Sequence, residues 1–238
     1  MRVLVTRPEP ESVALARVLR VLGHVPVLCP MLDIRFREAT VDLTGVQALL
    51  FTSGAGVRAF ARLSPERHMA AFAVGDATAA AAQEAGFATV RSARGDGVAL
   101  VDSVAEHADA RHGLLLHAAG AHVAGDLAAL FAVRGFRYQR LALYEAVQAV
   151  TLSEEGRSTL ESGPLEGVLF FSPRTAEAFV SLVTKAGLAD RCRTLTAFCL
   201  SDAVAAKATA LPWVAVRVAA EPNQQSLLAL LPAGTFRP

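Results

Sequence analysis

Apolar positions along the chain come in short unbroken runs: "RVLVT" from Arg2, "ALLFTS" from Ala48, "AAFAVG" from Ala70, "GLLLHA" from Gly113, "GVLFFS" from Gly167 and "TAFCLS" from Thr196. Each meets a Gly, Pro, Ser or Thr and is followed by an Ala/Leu-rich stretch of helical length. A run that does not alternate polar with apolar is the pattern of a strand buried on both faces. Alternation of such strands with helices predicts parallel sheets, so the fold class is α/β.

The pattern also repeats. "LLFTSGAGVRAF" from Leu49 aligns with "VLFFSPRTAEAF" from Val168, and "AFAVGDATAAAA" from Ala71 shares seven of twelve positions with "AFCLSDAVAAKA" from Ala197. A third pair joins "LARVLRVLGHVPV" from Leu15 to "LAALFAVRGFRYQ" from Leu127. Three pairs in one order indicate an internal duplication. The units run from 1 to 34, 48 to 103, 113 to 147 and 166 to 232. The repeat leaves open whether a domain takes its two pieces in sequence or by exchange. The intervening segments, 33 to 45 and 144 to 167, start extended and continue polar, so they read as connections between domains.

Composition narrows the function classes. The apolar content is 53% but no apolar stretch reaches membrane-spanning length, so no membrane association is expected. A net charge of +1 with no Lys/Arg block argues against nucleic acid as a partner and requires any anion to be bound locally. The start, "MRVLVTRPEP", lacks the apolar core of a secretory signal, which predicts a cytoplasmic protein. Cys29, Cys192 and Cys199 form no CxxC pair and read as small core residues.

Parallel sheets bind ligands beyond the carboxyl ends of their strands, where helix N-termini expose N–H groups. Thr6-Arg7, Thr52-Ser53, Gly75 with Thr78, His117 to Gly120, Ser172 with Arg174, and Ser201-Asp202 fall at such ends. Ser53, Ser172, Thr78 and Asp202 also suit plain helix N-caps. No GxSxG elbow, HExxH, P-loop or GxGxxG is present. The histidines at 107, 112, 117 and 122 are evenly spaced. On a helix each such step turns about 140°, so they share no face and no metal site is expected. "RGDGVALVDSV" from Arg94 reads as a turn followed by a capped helix.

Taken together, "VLVTRP", "GHVPVLCPMLDI", "LLFTSGAGVRAF", "AFAVGDATAAAAQEAGF", "LLLHAAG", "LALYEAV", "VLFFSPRTAEAF" and "AFCLSDAVAAKA" followed by "AAEPNQQSLLALL" resemble the uroporphyrinogen-III synthase family over nearly the whole chain. The resemblance implies two Rossmann- or flavodoxin-like parallel-sheet domains joined by a two-stranded linker, with the substrate in a cleft between them. One domain would comprise residues 1–34 and 148–238, the other residues 35–147. It further implies a monomer without cofactor or metal. Its substrate would be hydroxymethylbilane, a linear tetrapyrrole closed with inversion of ring D. In that reaction hydroxide is lost to give an azafulvene cation, which forms a spiro intermediate that fragments and recloses.

Such an enzyme selects geometry more than it lowers a high barrier, which fits the shortage of conventional catalytic motifs. Helix N-termini and hydroxyls would hold the substrate's carboxylates, each favouring an anion by roughly 0.3–1 kcal/mol. By motif position Tyr144 becomes the candidate catalytic residue, donating to the departing hydroxyl. Thr6, Arg7, Thr52, Ser53, Gly75, Thr78, Ser172, Arg174 and Ser201 become candidate substrate contacts. Ser201-Asp202-Ala203-Val204 departs from the hydroxyl-rich sequence common in the family, and Asp202 brings a negative charge to that junction. The competing reading from the residues alone is a two-domain small-molecule sensor or binding protein without catalysis.

Overall fold

The computed structural model of the chain describes residues 1–122 and 125–233. From the N-terminus, β1 (Arg2–Val5), α1 (Glu11–Val21) and β2 (Val25–Leu28) form a first strand-helix-strand piece. The middle of the chain contributes β3 (Leu32–Phe36), β4 (Val46–Phe51), α2 (Gly54–Leu63), β5 (Ala70–Ala73), α3 (Asp76–Glu84) and β6 (Val90–Ser92). It continues with α4 (Gly97–His107), β7 (Leu114–Gly120), α5 (Leu127–Val133) and the long β8 (Arg137–Gln148). The C-terminal part holds α6 (Glu154–Ser162), β9 (Gly167–Phe170), α7 (Pro173–Lys185), a 3-10 turn (Ala189–Thr194), β10 (Thr196–Cys199), α8 (Asp202–Ala208), β11 (Ala215–Val218) and α9 (Gln224–Leu228).

The alternating strands and helices assemble into two sheets, of order β11-β10-β9-β1-β2 and β3-β8-β7-β4-β5-β6. In the first, β1 runs parallel to both neighbours, with Val3 beside Pro26 on β2 and Gly167 on β9. In the second, β4 is parallel to β5 and β7, and β7 is parallel to β8. The fold class is therefore the α/β class that the apolar runs predict. The chain divides into one unit of residues 1–33 and 147–238 and another of residues 34–146. The divisions fall inside β3 and near the end of β8.

Each sheet carries an apolar layer on both faces, as unalternating strands require. In the first unit Val168, Phe170 and Phe179 pack on one side, and Val3, Val5, Leu169 and Phe198 on the other. In the second, Phe51, Phe60 and Phe87 lie on one side, and Leu50, Phe72, Leu115 and Phe131 on the other. The three cysteines are free and buried, and burial pushes the Cys192 and Cys199 thiols up to about 12. Among the described residues no His/Cys/Asp/Glu cluster could hold a metal, and no helix is long and apolar enough to cross a membrane.

One expectation is corrected. Part of the polar stretch read as a connection, Glu154–Ser162, is helical. Ser153 caps it by accepting the Gly156 N–H, and Glu154 and Glu155 favour its first turn. Its buried face is narrow, with Gly156 pressed so closely on Cys29 that a Cβ would collide. The apolar periodicity is too sparse to announce this helix, and only its capping residues do. Asp96 accepts from the Val98 and Ala99 N–H groups, so the Arg94 stretch is the expected turn and capped helix.

Candidate active site

The carboxyl end of β4 is a fork. Thr52 and Ser53 leave the strand toward opposite faces of the sheet, because successive residues of an extended chain alternate. On one side the Ser53 hydroxyl accepts the Gly56 N–H at 3.1 Å, capping α2, and lies 2.7 Å from the Tyr144 hydroxyl. On the other, Thr52 Oγ1 lies 3.0 Å from His117 Nε2, whose Nδ1 is 2.7 Å from the Tyr138 hydroxyl. Gly56 brings α2 against β7: a Cβ there would run into the Ala118 carbonyl oxygen.

Tyr144 reaches Ser53 because β8 slips by one residue. Ala119 pairs with Ala142, but Gly120 pairs with Tyr144, leaving Leu143 as the extra residue. A bulge of this kind re-aims the side chain that follows it. Without it Tyr144 would stand with Tyr138 and Arg140 on the other face. Instead its ring covers Gly120, where a Cβ would sit only 3.0 Å from Tyr144 Cζ.

These groups surround a cavity of about 500 Å³ lined by Thr52, Ser53, His117, Tyr138, Arg140 and Tyr144, together with His122 and the residues from Gly125 to Ala128. All its lining residues belong to the unit of residues 34–146. Burial, and secondarily the Arg140 charge, push the His117 imidazole down to about 4, so it is neutral near pH 7. Burial also raises the Tyr138 phenol to about 12. The exposed Arg140 has no carboxylate partner among the described residues. The cavity therefore offers hydroxyls, a neutral imidazole and the Arg140 cation to an anionic ligand rich in oxygen acceptors, with one carboxylate, Asp126, also in its lining and engaged by the Ala129 N–H as the cap of α5.

The other predicted residues lie elsewhere. Gly75 is the N-cap residue of α3, and Thr78 is buried in that helix's first turn. In the other unit Arg7 lies 4.5 Å over the Phe171 ring and donates to Gln224 Oε1 at 3.1 Å. Burial lowers the pKa of its guanidinium, an effect opposed by Glu11. Ser172 caps α7 ahead of Pro173, and its hydroxyl lies 3.1 Å from that of Thr175. Arg174 is exposed in that helix's first turn, and Ser201 is the N-cap residue of α8 without a side-chain cap bond.

Thr6 differs from its expected role. It is fully buried and donates to the Leu169 carbonyl at 2.7 Å, so its hydroxyl proton is spent on tying β1 to β9.

Sequence reasoning missed His117, Tyr138 and Arg140 as a group. His117, placed with Ala118 to Gly120 at a strand's carboxyl end, lies instead within β7, which runs on to Gly120, and its apolar surroundings in the sequence resemble core. Tyr138 and Arg140, two apart on β8, do carry a signal: strand periodicity places them on one face.

The fold and this site define a class: a two-sheet, doubly wound α/β protein with a hydroxyl-lined cavity at its strand ends. Residues 13–229 match the family model for uroporphyrinogen-III synthase HemD, and the chain belongs to that family. Among solved structures it is similar to uroporphyrinogen-III synthetase from Helicobacter pylori, at 17% identity over 97% of this chain and 98% of that one, with a TM-score of 0.65. It is also similar to a mutant uroporphyrinogen III synthase from the extremely thermophilic bacterium Thermus thermophilus, at 20% identity over 96% of each chain, with a TM-score of 0.48. No curated protein matches the chain significantly by sequence.

Proposed function

We propose that the chain is a uroporphyrinogen-III synthase, a lyase that closes hydroxymethylbilane with loss of water and inversion of ring D. The observation that carries this reading, beside family membership, is the Tyr144–Ser53 pair at the cavity wall. A phenol that assists hydroxide departure must keep its own proton for the leaving group. Ser53 accepts the Gly56 N–H and has one proton left to give; the departing hydroxyl, as an acceptor in the cavity, draws the Tyr144 O–H toward itself, and Ser53 then donates to the Tyr144 oxygen. The Ser53 hydroxyl then both caps α2 and holds the acid in place.

Once hydroxide has left as water, the remaining work is orientation. Arg140 and Thr52 are suited to hold acetate or propionate groups near the reacting end. Gly75, Thr78, Arg7, Ser172, Arg174 and Ser201 remain proposed contacts for the other carboxylates. The reading includes a monomeric, cytoplasmic enzyme that uses no cofactor.

The test supplies freshly prepared hydroxymethylbilane to wild type and Tyr144→Phe and resolves the product isomers. Wild type should give the inverted isomer, and Tyr144→Phe should turn over more slowly by up to about 100-fold. Only the uninverted isomer at the uncatalysed rate would reject the assignment in favour of a binding protein.

A further inference from the structure

His117 has no part in the proposed chemistry, yet it is fully buried with both ring nitrogens engaged: Nδ1 at 2.7 Å from the Tyr138 hydroxyl and Nε2 at 3.0 Å from Thr52 Oγ1. A neutral imidazole carries one N–H and one lone pair, so the chain Tyr138–His117–Thr52 runs in one of two directions. In one, Tyr138 donates to Nδ1, Nε2–H donates to Thr52, and the Thr52 proton is released toward the cavity. In the other, Thr52 donates to Nε2, Nδ1–H donates to Tyr138, and the free proton is that of Tyr138.

One feature chooses the first direction, and a second says what it serves. A phenol is a better donor than acceptor, because its oxygen lone pair is delocalised into the ring, so Tyr138 favours giving its proton to Nδ1. Arg140, in register with His117 on the adjacent strand, marks this part of the cavity for an anion. Tyr138 lines the cavity too, so the anion's preference for a donor holds in either direction, and it is the phenol's preference for donating that makes Thr52 the donor presented to it.

We propose that His117 is a positioning residue: it holds its proton on Nε2 against Thr52 Oγ1, so that the Thr52 O–H points into the cavity and, with Arg140, binds one carboxylate of the ligand. This rests on the cavity receiving the carboxylated tetrapyrrole of the proposed function. The direction of the chain is a property of the free protein and is read without any substrate.

The decisive measurement is the tautomer of His117 in ¹⁵N-histidine-labelled protein, by long-range ¹H–¹⁵N correlation at neutral pH. The expected result is a protonated Nε2 and a bare Nδ1. A protonated Nδ1, or an imidazolium, overturns the proposal whether or not the protein is a synthase.

Tyr138→Phe removes the head of the chain. The proton should stay on Nε2, where Thr52 still accepts it and an Nδ1–H would meet only the Phe ring, and KM for hydroxymethylbilane should rise by no more than a few-fold. A tautomer that differs between wild type and Tyr138→Phe would also overturn the proposal. His117→Gln, whose amide NH₂ reaches toward the Nε2 position, should retain more affinity than His117→Asn, whose amide reaches only the Nδ1 position. The reverse order contradicts the assigned direction. Failure of wild type to make the inverted isomer would remove the synthase reading and leave the tautomer result standing.

Discussion

At the scale of single residues, the site is governed by what burial does to polar groups. His117 is neutral because its charged form would lose hydration without gaining a counter-ion, and the nearby cation is of the wrong sign to help. The stability consequence has a definite sign. An unfolded chain binds a proton on this histidine near pH 6.5, whereas the native protein resists doing so until about 4. Stability from this group is thus complete above pH 6.5 and falls as the pH drops toward 4. Between pH 7 and pH 5 the loss amounts to about 2 kcal/mol. Urea unfolding at those two pH values should show it in wild type, and the slope should shrink in His117→Gln. Equal slopes would mean that His117 takes up its proton in the native protein over the same pH range as in the unfolded chain. Thr6 shows the complementary effect: motif position put its hydroxyl at a strand end, and packing turned it onto the Leu169 carbonyl.

At the scale of elements, capping and one register slip do most of the arranging. Ser53, Asp96, Asp126, Ser153, Ser172 and Asn223 each accept a backbone N–H in the first turn of a helix. For Ser53 the cap and the contact with Tyr144 coexist on one oxygen. The slip in β8 has a sharper consequence, because it lays Tyr144 over Gly120. Gly120→Ala should push the ring off Ser53 and reduce turnover toward the level of Tyr144→Phe, while the double variant should be no slower than Tyr144→Phe alone. Turnover measured on the three variants checks this; multiplicative losses would show that Gly120 acts through something other than Tyr144. The fold class and the caps at Ser53 and Ser172 were legible in the sequence as apolar runs meeting hydroxyls. The slip was not, because nothing in "RLALYEA" departs from ordinary strand alternation and the extra residue exists only relative to β7.

At the scale of the molecule, the unit of residues 34–146 is continuous in sequence, whereas the other is built from both ends of the chain. There β1 occupies an interior position between β9 and β2, and Val3, Val5, Leu15 and Leu19 supply much of the apolar layer on one face. A fragment of residues 32–148 keeps every strand of its sheet and should fold alone, with dispersed amide resonances and a cooperative melt. A fragment of residues 147–238 lacks β1 and should remain largely unfolded until a peptide of residues 1–33 is added. Cooperative folding of the C-terminal fragment by itself would contradict the role assigned to β1.

By itself the sequence determined the α/β class, the internal duplication and the hydroxyls at the strand ends, because each is written in local order: periodicity, repeat and capping residue; Tyr144 was singled out only by the family resemblance of "LALYEAV". Tertiary structure alone decided that Thr52 and Ser53 serve different partners, that Thr6 is withdrawn, and that His117, Tyr138 and Arg140 meet in one cavity. Those outcomes depend on which strands become neighbours and in what register. A hydrogen bond between residues 65 positions apart, such as that of Thr52 with His117, leaves no mark on the sequence near either one.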